Sequence, residues 1–321
     1  MKTWTPDRAI RRSRVGASWL EVVVVAIITI ILFALSLPFV QRMREVTRRR
    51  NCDQNLVRLA LASQTYSADH RHLPAGTLTF NAVVTLIDDS VPQPPSSSSN
   101  PIASVRLGYH QNWISALLPY LDRRGLYESI DFDRSVYHES NRLAREADLA
   151  MLRCPATEDA AIDNTTSYAG STDGDAEPIG TLNDGLLFSD RWVVPERVSD
   201  GMGSTILIGE KVSHPSGDLS WMSGTRSSLR NSGHGINRVA DHANQLISSD
   251  DTTDPWFVGS WSSLHVGGAT IVTGDATIEF LSESMDQGLL RQRACRRDSL
   301  VAAEATSSTA ATEPGDSRPI R

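Results

Sequence analysis

Cysteine is scarce in this chain: three in 321 residues, at positions 52, 154 and 295, with no Cys-x-x-Cys pair among them. That spacing excludes the usual zinc-ribbon and dithiol redox signatures. No Gly-x-Ser-x-Gly occurs, so the nucleophile elbow of the α/β-hydrolases is absent. Positive charge is not in excess either. The formal net charge is −7, which argues against sequence-independent binding to nucleic acid, since that needs a basic surface. No internal repeat stands out. Hydrophobic residues make up 40% and charged residues 21% of the chain, a balance that suits a folded body.

What the chain does have is one long apolar run. Val22 to Val40 holds no charged side chain, and only Thr29 and Ser36 interrupt it. At about 1.5 Å per residue the run spans roughly 28 Å of helix, close to the ~30 Å hydrocarbon core of a bilayer. A basic leader ending in Gly16 precedes it, and a single carboxylate, Glu21, stands at its start. Carboxylates there are costly in lipid and mark function. The leader and the segment Arg42–Arg50 each carry a net charge of +4, so the positive-inside rule assigns no orientation.

The glycine, the glutamate and Pro38 stand at the offsets of the class III signal, and residues 12–41 resemble the N-termini of type IV prepilins and type II secretion pseudopilins. The resemblance implies cleavage after Gly16 by a prepilin peptidase and methylation of Ala17. It places Glu21 fifth and Pro38 twenty-second in the mature chain. Ala17 departs from the family's usual phenylalanine. The resemblance also implies a bacterial inner-membrane protein with a cytoplasmic N-terminus and a periplasmic or extracellular head. Glu21 would then pair with the terminal amine of a neighbouring pilin-like subunit, and Pro38 would loosen the helix. A secretory signal cut after Ala34-Leu35-Ser36 and a plain uncleaved anchor are the competing readings of the same residues.

Glycine is absent from Ser18 to Ala68, and apolar residues Met43, Val46, Leu56, Leu59 and Ala60, with Ser63 or Tyr66, recur at helical spacing. One long helix is expected, its second half amphipathic. The segments 88–104, rich in Pro and Ser, read as a surface loop with little to bury. The stretch from Trp113 predicts one or two short helices broken at Pro119, and 138–153 predicts another. From about 165 the runs TTSYAGS, GLLF, TILIGEK and GATIVTGDATIEFLS read as short strands, the last a hairpin turning at Thr273-Gly274-Asp275. The expected fold is α+β: a basic leader (1–16), a transmembrane helix (17–41), its amphipathic continuation (42–72), an exported head (73–297) ending in an antiparallel sheet, and a disordered tail (298–321).

Segments over most of the chain resemble an uncharacterised prepilin-like family, a domain of unknown function joined to the class III leader. They are RRRNCDQNLVRLALASQTYSADHRHLPAG, WISALLPYLDRRGLYESIDF, LRCPATED, TSYAGS, RVSDGMGSTILIGEK and SLHVGGATIVTGDATIEFLSESMD. The family's last turn reads Asp-Gly-Ser-Val, where this chain has Gly274-Asp275-Ala276-Thr277. Export makes disulfides permissible; because Cys52 and Cys154 lie in two of the matching segments, a bridge between them is one expectation and three unpaired thiols the other, with Cys295 left over. His265 with Ser260 or Ser263 is a weak nucleophile–base set, and a turn or packing role fits the histidine better. Glu210 reads as an internal partner for an arginine. Asp250, Asp251 and Asp254 are hard oxygen donors suited to Ca2+, and the resemblance to major pseudopilins, which carry a calcium site near the C-terminus, favours that role. They lack the spacing of a recognised calcium loop, and a solvated acidic turn accounts for them better; no other cofactor is expected. The reading is a non-enzymatic, membrane-anchored pilin-like protein, with a monomeric binding module and an exported hydrolase as alternatives.

Overall fold

The structure is a computed structural model, and it describes residues 19–79, 85–86, 101–160, 164–213, 218–238 and 255–297. Two compact units divide the chain, Met1–Thr47 and Arg48–Arg321.

Helix α1 (Trp19–His70) is the long helix the sequence predicts. Its first part exposes large apolar side chains, among them Trp19, Val25, Ile28, Leu32 and Leu35. Among the described residues no helix is long and apolar enough to cross a membrane; the side chains of residues 36–40, part of the apolar run, lie outside the described set. From residue 48 onward the helix is amphipathic. Cys52, Leu56, Leu59, Ala60 and Ser63 are fully buried at a spacing of three to four, each large aliphatic side chain worth about 1.5–3 kcal/mol. Met43 and Val46, expected on the same stripe, are exposed, so the buried stripe starts at Cys52. The helix ends at Arg71, whose φ of +64° is left-handed and whose N–H donates to the Ser67 carbonyl at 2.7 Å.

Beyond it, β1 (Thr77–Leu78) pairs antiparallel with β3 (Gln111–Asn112), and β2 (Thr85–Leu86) pairs parallel with β5 (Arg191–Trp192). Gly76 precedes β1 because no other residue fits: a Cβ there would lie 2.4 Å from the Leu187 backbone. Helix α2 (Trp113–Leu117) is capped by Asn112, whose Oδ1 accepts the Ser115 N–H. Pro119 then sits in a 3₁₀ turn, Leu118–Leu121, before α3 (Arg124–Glu128). The expected helix over 138–153 is shorter: α4 (Arg142–Arg145) flanked by two 3₁₀ turns.

The main sheet contains β4 (Tyr168–Asp173), β6 (Ile206–Glu210), β7 (Leu229–Asn231), β8 (Gly268–Thr273) and β9 (Ile278–Ser282), in the order β7-β4-β6-β8-β9. The pairing β4–β7 is parallel and the others antiparallel, so the sheet is mixed rather than antiparallel; the long segment between β6 and β7 permits that crossover. Both faces are covered. Tyr168, Leu207 and Val272 join a core with Leu56, Leu59 and Trp113, while Ala169, Ile206 and Ile271 pack with Trp261 and with Leu290 of α5 (Gln287–Ala294). Helix α5 carries no strong apolar period and is not foreseen in the sequence. The run GLLF (185–188) is not a strand, although Leu187 N–H donates to the Ser171 carbonyl at 2.9 Å. Ile102, in the segment expected to bury little, is buried, its N–H on the Ile179 carbonyl; residues 88–100 and 298–321 lie outside the described residues.

Candidate functional site

Four elements converge under the sheet. The inner stripe of α1 supplies Cys52, the chain ahead of β4 supplies Cys154, the last residue of β6 is Glu210, and the loop into β8 carries His265. Cys52 and Cys154 form a disulfide with a Cα–Cα distance of 5.0 Å. His265 Nε2 lies 3.4 Å from Cys52 Sγ, 3.5 Å from Cys154 Sγ and 3.7 Å from Glu210 Oε1. All four side chains are buried, and their donor atoms fall within 4.8 Å of one another.

The sequence around His265 explains its placement. Gly267 takes φ +90°, and a Cβ on Gly268 would lie 2.0 Å from the Leu281 carbonyl; only glycines allow the chain to turn from the histidine straight into β8. Glu210 Oε2 accepts the Thr270 N–H at 2.9 Å, but Oε1 is buried without a hydrogen-bond partner. Burial raises the Glu210 carboxyl above the usual carboxylate range, against the Thr270 N–H, the His265 ring and the Ser263 hydroxyl, which each pull it down. Glu210 therefore faces the imidazole and not an arginine. Two sulfurs, an imidazole nitrogen and a carboxylate oxygen form a donor set suited to a borderline-soft divalent ion whenever the sulfurs are thiolates.

A second feature is a cleft of about 1070 Å³ lined by Ile102, Leu107, His110, Tyr137, Asp190 and Trp256 among others. His110 is buried at φ +54°. Its Nδ1 lies 2.9 Å from Tyr137 Oη, which in turn is 2.6 Å from Ser223 Oγ. Burial lowers the His110 pKa to about 4 and pushes the Tyr137 phenol up. Gly108 is required here as well: a Cβ would meet the His110 ring at 2.6 Å.

Ser260 Oγ donates to the His234 carbonyl at 2.6 Å, Ser263 Oγ accepts the His265 backbone N–H at 3.2 Å, and Nε2 of His265 faces the sulfurs. Cys295 is unbridged, and burial pushes its thiol up to about 11. Glu21 is exposed in the first turn of α1, and Pro38 lies within that helix. Gly16, Ala17, Asp250, Asp251 and Asp254 lie outside the described residues. The meeting of Glu210 with His265 and the two sulfurs, and the His110 cleft, are what sequence reasoning missed. A carboxylate closing an otherwise apolar strand, ILIGE, is the signal that points to Glu210.

Residues 41–288 match the family described as "Protein of unknown function (DUF1559)". No functionally curated protein and no solved structure matches the chain.

Proposed function

The chain belongs to that family, and from this premise we propose that it is a membrane-anchored, pilin-like protein, processed after Gly16, whose head stands in an oxidising compartment. The carrying observation is the first part of α1. Trp19, Leu20, Val22, Val25, Ile27, Ile28 and Ile31 are each at least half exposed, and at about 100° per residue they are spread around the whole helix. A helix apolar on every side needs lipid or other helices as cover. The buried Cys52–Cys154 bridge supports export, because such bridges persist outside the reducing cytosol. The matched family region begins at residue 41, just after the apolar run, so anchor and head are separable in sequence.

In this reading Glu21 sets the register between neighbouring helices by pairing with the amine of Ala17 on the next subunit. Removing one member of such a pair leaves an uncompensated charge, at about 3–5 kcal/mol. The test is the intact mass and N-terminal sequence of the protein from native membranes, followed by assembly of Glu21→Val. A start at methylated Ala17 and loss of filaments in the inserted variant support the proposal. A start at Met1 or near Leu37 overturns it. The cleft around His110 favours a second reading, a monomeric binding module that uses the leader for targeting. There Glu21→Val leaves the oligomeric state and the ligand occupancy of the cleft unchanged.

A further inference from the structure

The Cys52–Cys154 bridge closes one of two states open to the same four residues. We propose that the dithiol form of Cys52 and Cys154, with His265 and Glu210, is a binding site for one zinc-like divalent cation, and that forming the disulfide expels it. This goes beyond the anchoring role and does not depend on it.

The geometry carries the inference. A tetrahedral zinc ion bound at about 2.3 Å to sulfur and about 2.0–2.1 Å to nitrogen sets the nitrogen–sulfur edge near ~3.5 Å. His265 Nε2 already stands 3.4 and 3.5 Å from the two sulfurs. The nitrogen–oxygen edge is about 3.4 Å on the same reckoning, and Nε2 lies 3.7 Å from Glu210 Oε1. The largest change is in the sulfur–sulfur distance, from a covalent bond to a tetrahedral edge, and the four donor atoms already lie within 4.8 Å of one another.

The unsatisfied atom points the same way. Glu210 Oε1 is buried, lacks a hydrogen-bond partner and faces the cluster; a buried oxygen in that state is costly unless something binds it. Asp53 Oδ1, one residue from Cys52, is likewise buried without a hydrogen-bond partner. A cation answers this local excess of negative charge. Three of the ligands sit on rigid supports, namely the α1 stripe, the end of β6 and a loop fixed by Gly267 and Gly268, so little reorganisation accompanies binding. The donor set favours zinc over calcium, since two thiolates and an imidazole are soft or borderline ligands and calcium takes oxygen.

The redox step balances without a further cofactor. A phosphine reductant attacks one sulfur, the S–S bond breaks, and water delivers oxygen to phosphorus and two protons to the sulfurs, giving two thiols and one phosphine oxide. Metal binding then releases the two thiol protons. In the reverse direction a disulfide oxidant accepts two electrons, becomes its dithiol, and restores the bridge as the metal leaves.

The experiment uses the full chain in detergent, stripped of metal, with and without phosphine reduction, and titrates Co2+ alone as the spectroscopic probe. The reduced protein is expected to take up one Co2+ per chain, with thiolate-to-cobalt charge transfer and the intense ligand-field bands of a tetrahedral site. Zn2+ displaces it stoichiometrically, and the oxidised protein shows neither band. His265→Ala and Glu210→Gln retain both cysteines, and circular dichroism checks that each keeps the fold; each is expected to weaken Zn2+ by at least about tenfold. Absence of the cobalt bands in the reduced protein, or equal affinity in both variants and the parent, overturns the proposal. Neither outcome bears on processing at Gly16, which the N-terminal sequence decides.

Discussion

Cys52 on α1 and Cys154 ahead of β4 stand 102 residues apart in sequence and are covalently joined, with Tyr168 Oη donating to the Cys52 carbonyl at 3.4 Å beside them. A loop of that length is closed in the folded state and, once bridged, in the unfolded state too. The chain-entropy argument puts the gain near ~4.7 kcal/mol, and measured losses of native bridges fall at about 2–5 kcal/mol. The double variant Cys52→Ser/Cys154→Ser is therefore expected to unfold in metal-free buffer at a markedly lower urea concentration than the oxidised parent. Equal midpoints would show that the bridge contributes nothing to the head.

His110 gives a pH dependence with a definite sign. Burial holds its folded pKa at about 4 against an ordinary ~6.5, and the Asp190 carboxylate offsets only part of that. A depressed folded pKa means that the unfolded chain binds the proton first as pH falls. The contribution is complete above pH ~6.5 and is lost as pH falls through about 4, on the order of 2–3 kcal/mol across the window. Urea unfolding at pH 7, 5.5 and 4 should show this loss. His110→Asn, which tolerates the left-handed backbone, should flatten the slope over the same range.

The parts of this fold legible in the sequence are those where one physical requirement dominates. The 3.6-residue stripe of α1 could be read because Leu56, Leu59, Ala60 and Ser63 all face one core. The β8–β9 hairpin could be read because its register, Gly268 with Ser282 through Val272 with Ile278, follows an alternating run around a tight turn. Glu210 was legible as buried but not in its partner: nothing local tells a strand-terminal carboxylate that a histidine 55 residues later will meet it. Met43 and Val46 share the period of the stripe yet are exposed, since periodicity marks a face and not what covers it. The segment 185–188 looks like a strand by composition, but its hydrogen bonds to β4 are too few for a ladder.

The hairpin turn holds a correctable strain. Ala276 takes φ +68°, where the resembling family's turn reads Asp-Gly, and an L side chain costs about 1–2 kcal/mol in that region. The turn is otherwise well made: Asp275 Oδ1 accepts from Thr273 Oγ1 at 2.6 Å and from the Thr277 N–H at 3.0 Å. Ala276→Gly is expected to raise the stability of the head by about 0.5–1 kcal/mol, the relief being partly offset by the greater freedom of the unfolded chain. A thermal melt decides it, and an unchanged or lower midpoint would mean that the turn conformation differs.

Lys211 and Asp218 form a fully buried ion pair, Nζ to Oδ2 at 2.7 Å, with Ser213 Oγ accepting a second Nζ bond at 3.1 Å and the Arg230 guanidinium 3.9 Å from Asp218 Oδ1. Burial lowers Lys211 to about 8, with Asp218 opposing the fall. Desolvation thus outweighs attraction even in the intact pair, and the imbalance grows when one partner is removed. Asp218→Asn leaves two buried cations facing a neutral amide and is expected to cost about 3–5 kcal/mol. Lys211→Met leaves Asp218 beside the Arg230 guanidinium, 3.9 Å away, and should cost less. In the double variant the Lys211 charge no longer needs the carboxylate, so the combined loss should fall short of the sum by about 1–3 kcal/mol. Urea unfolding of the four proteins measures that coupling, and strict additivity would mean that Lys211 is not the cation that Asp218 neutralises.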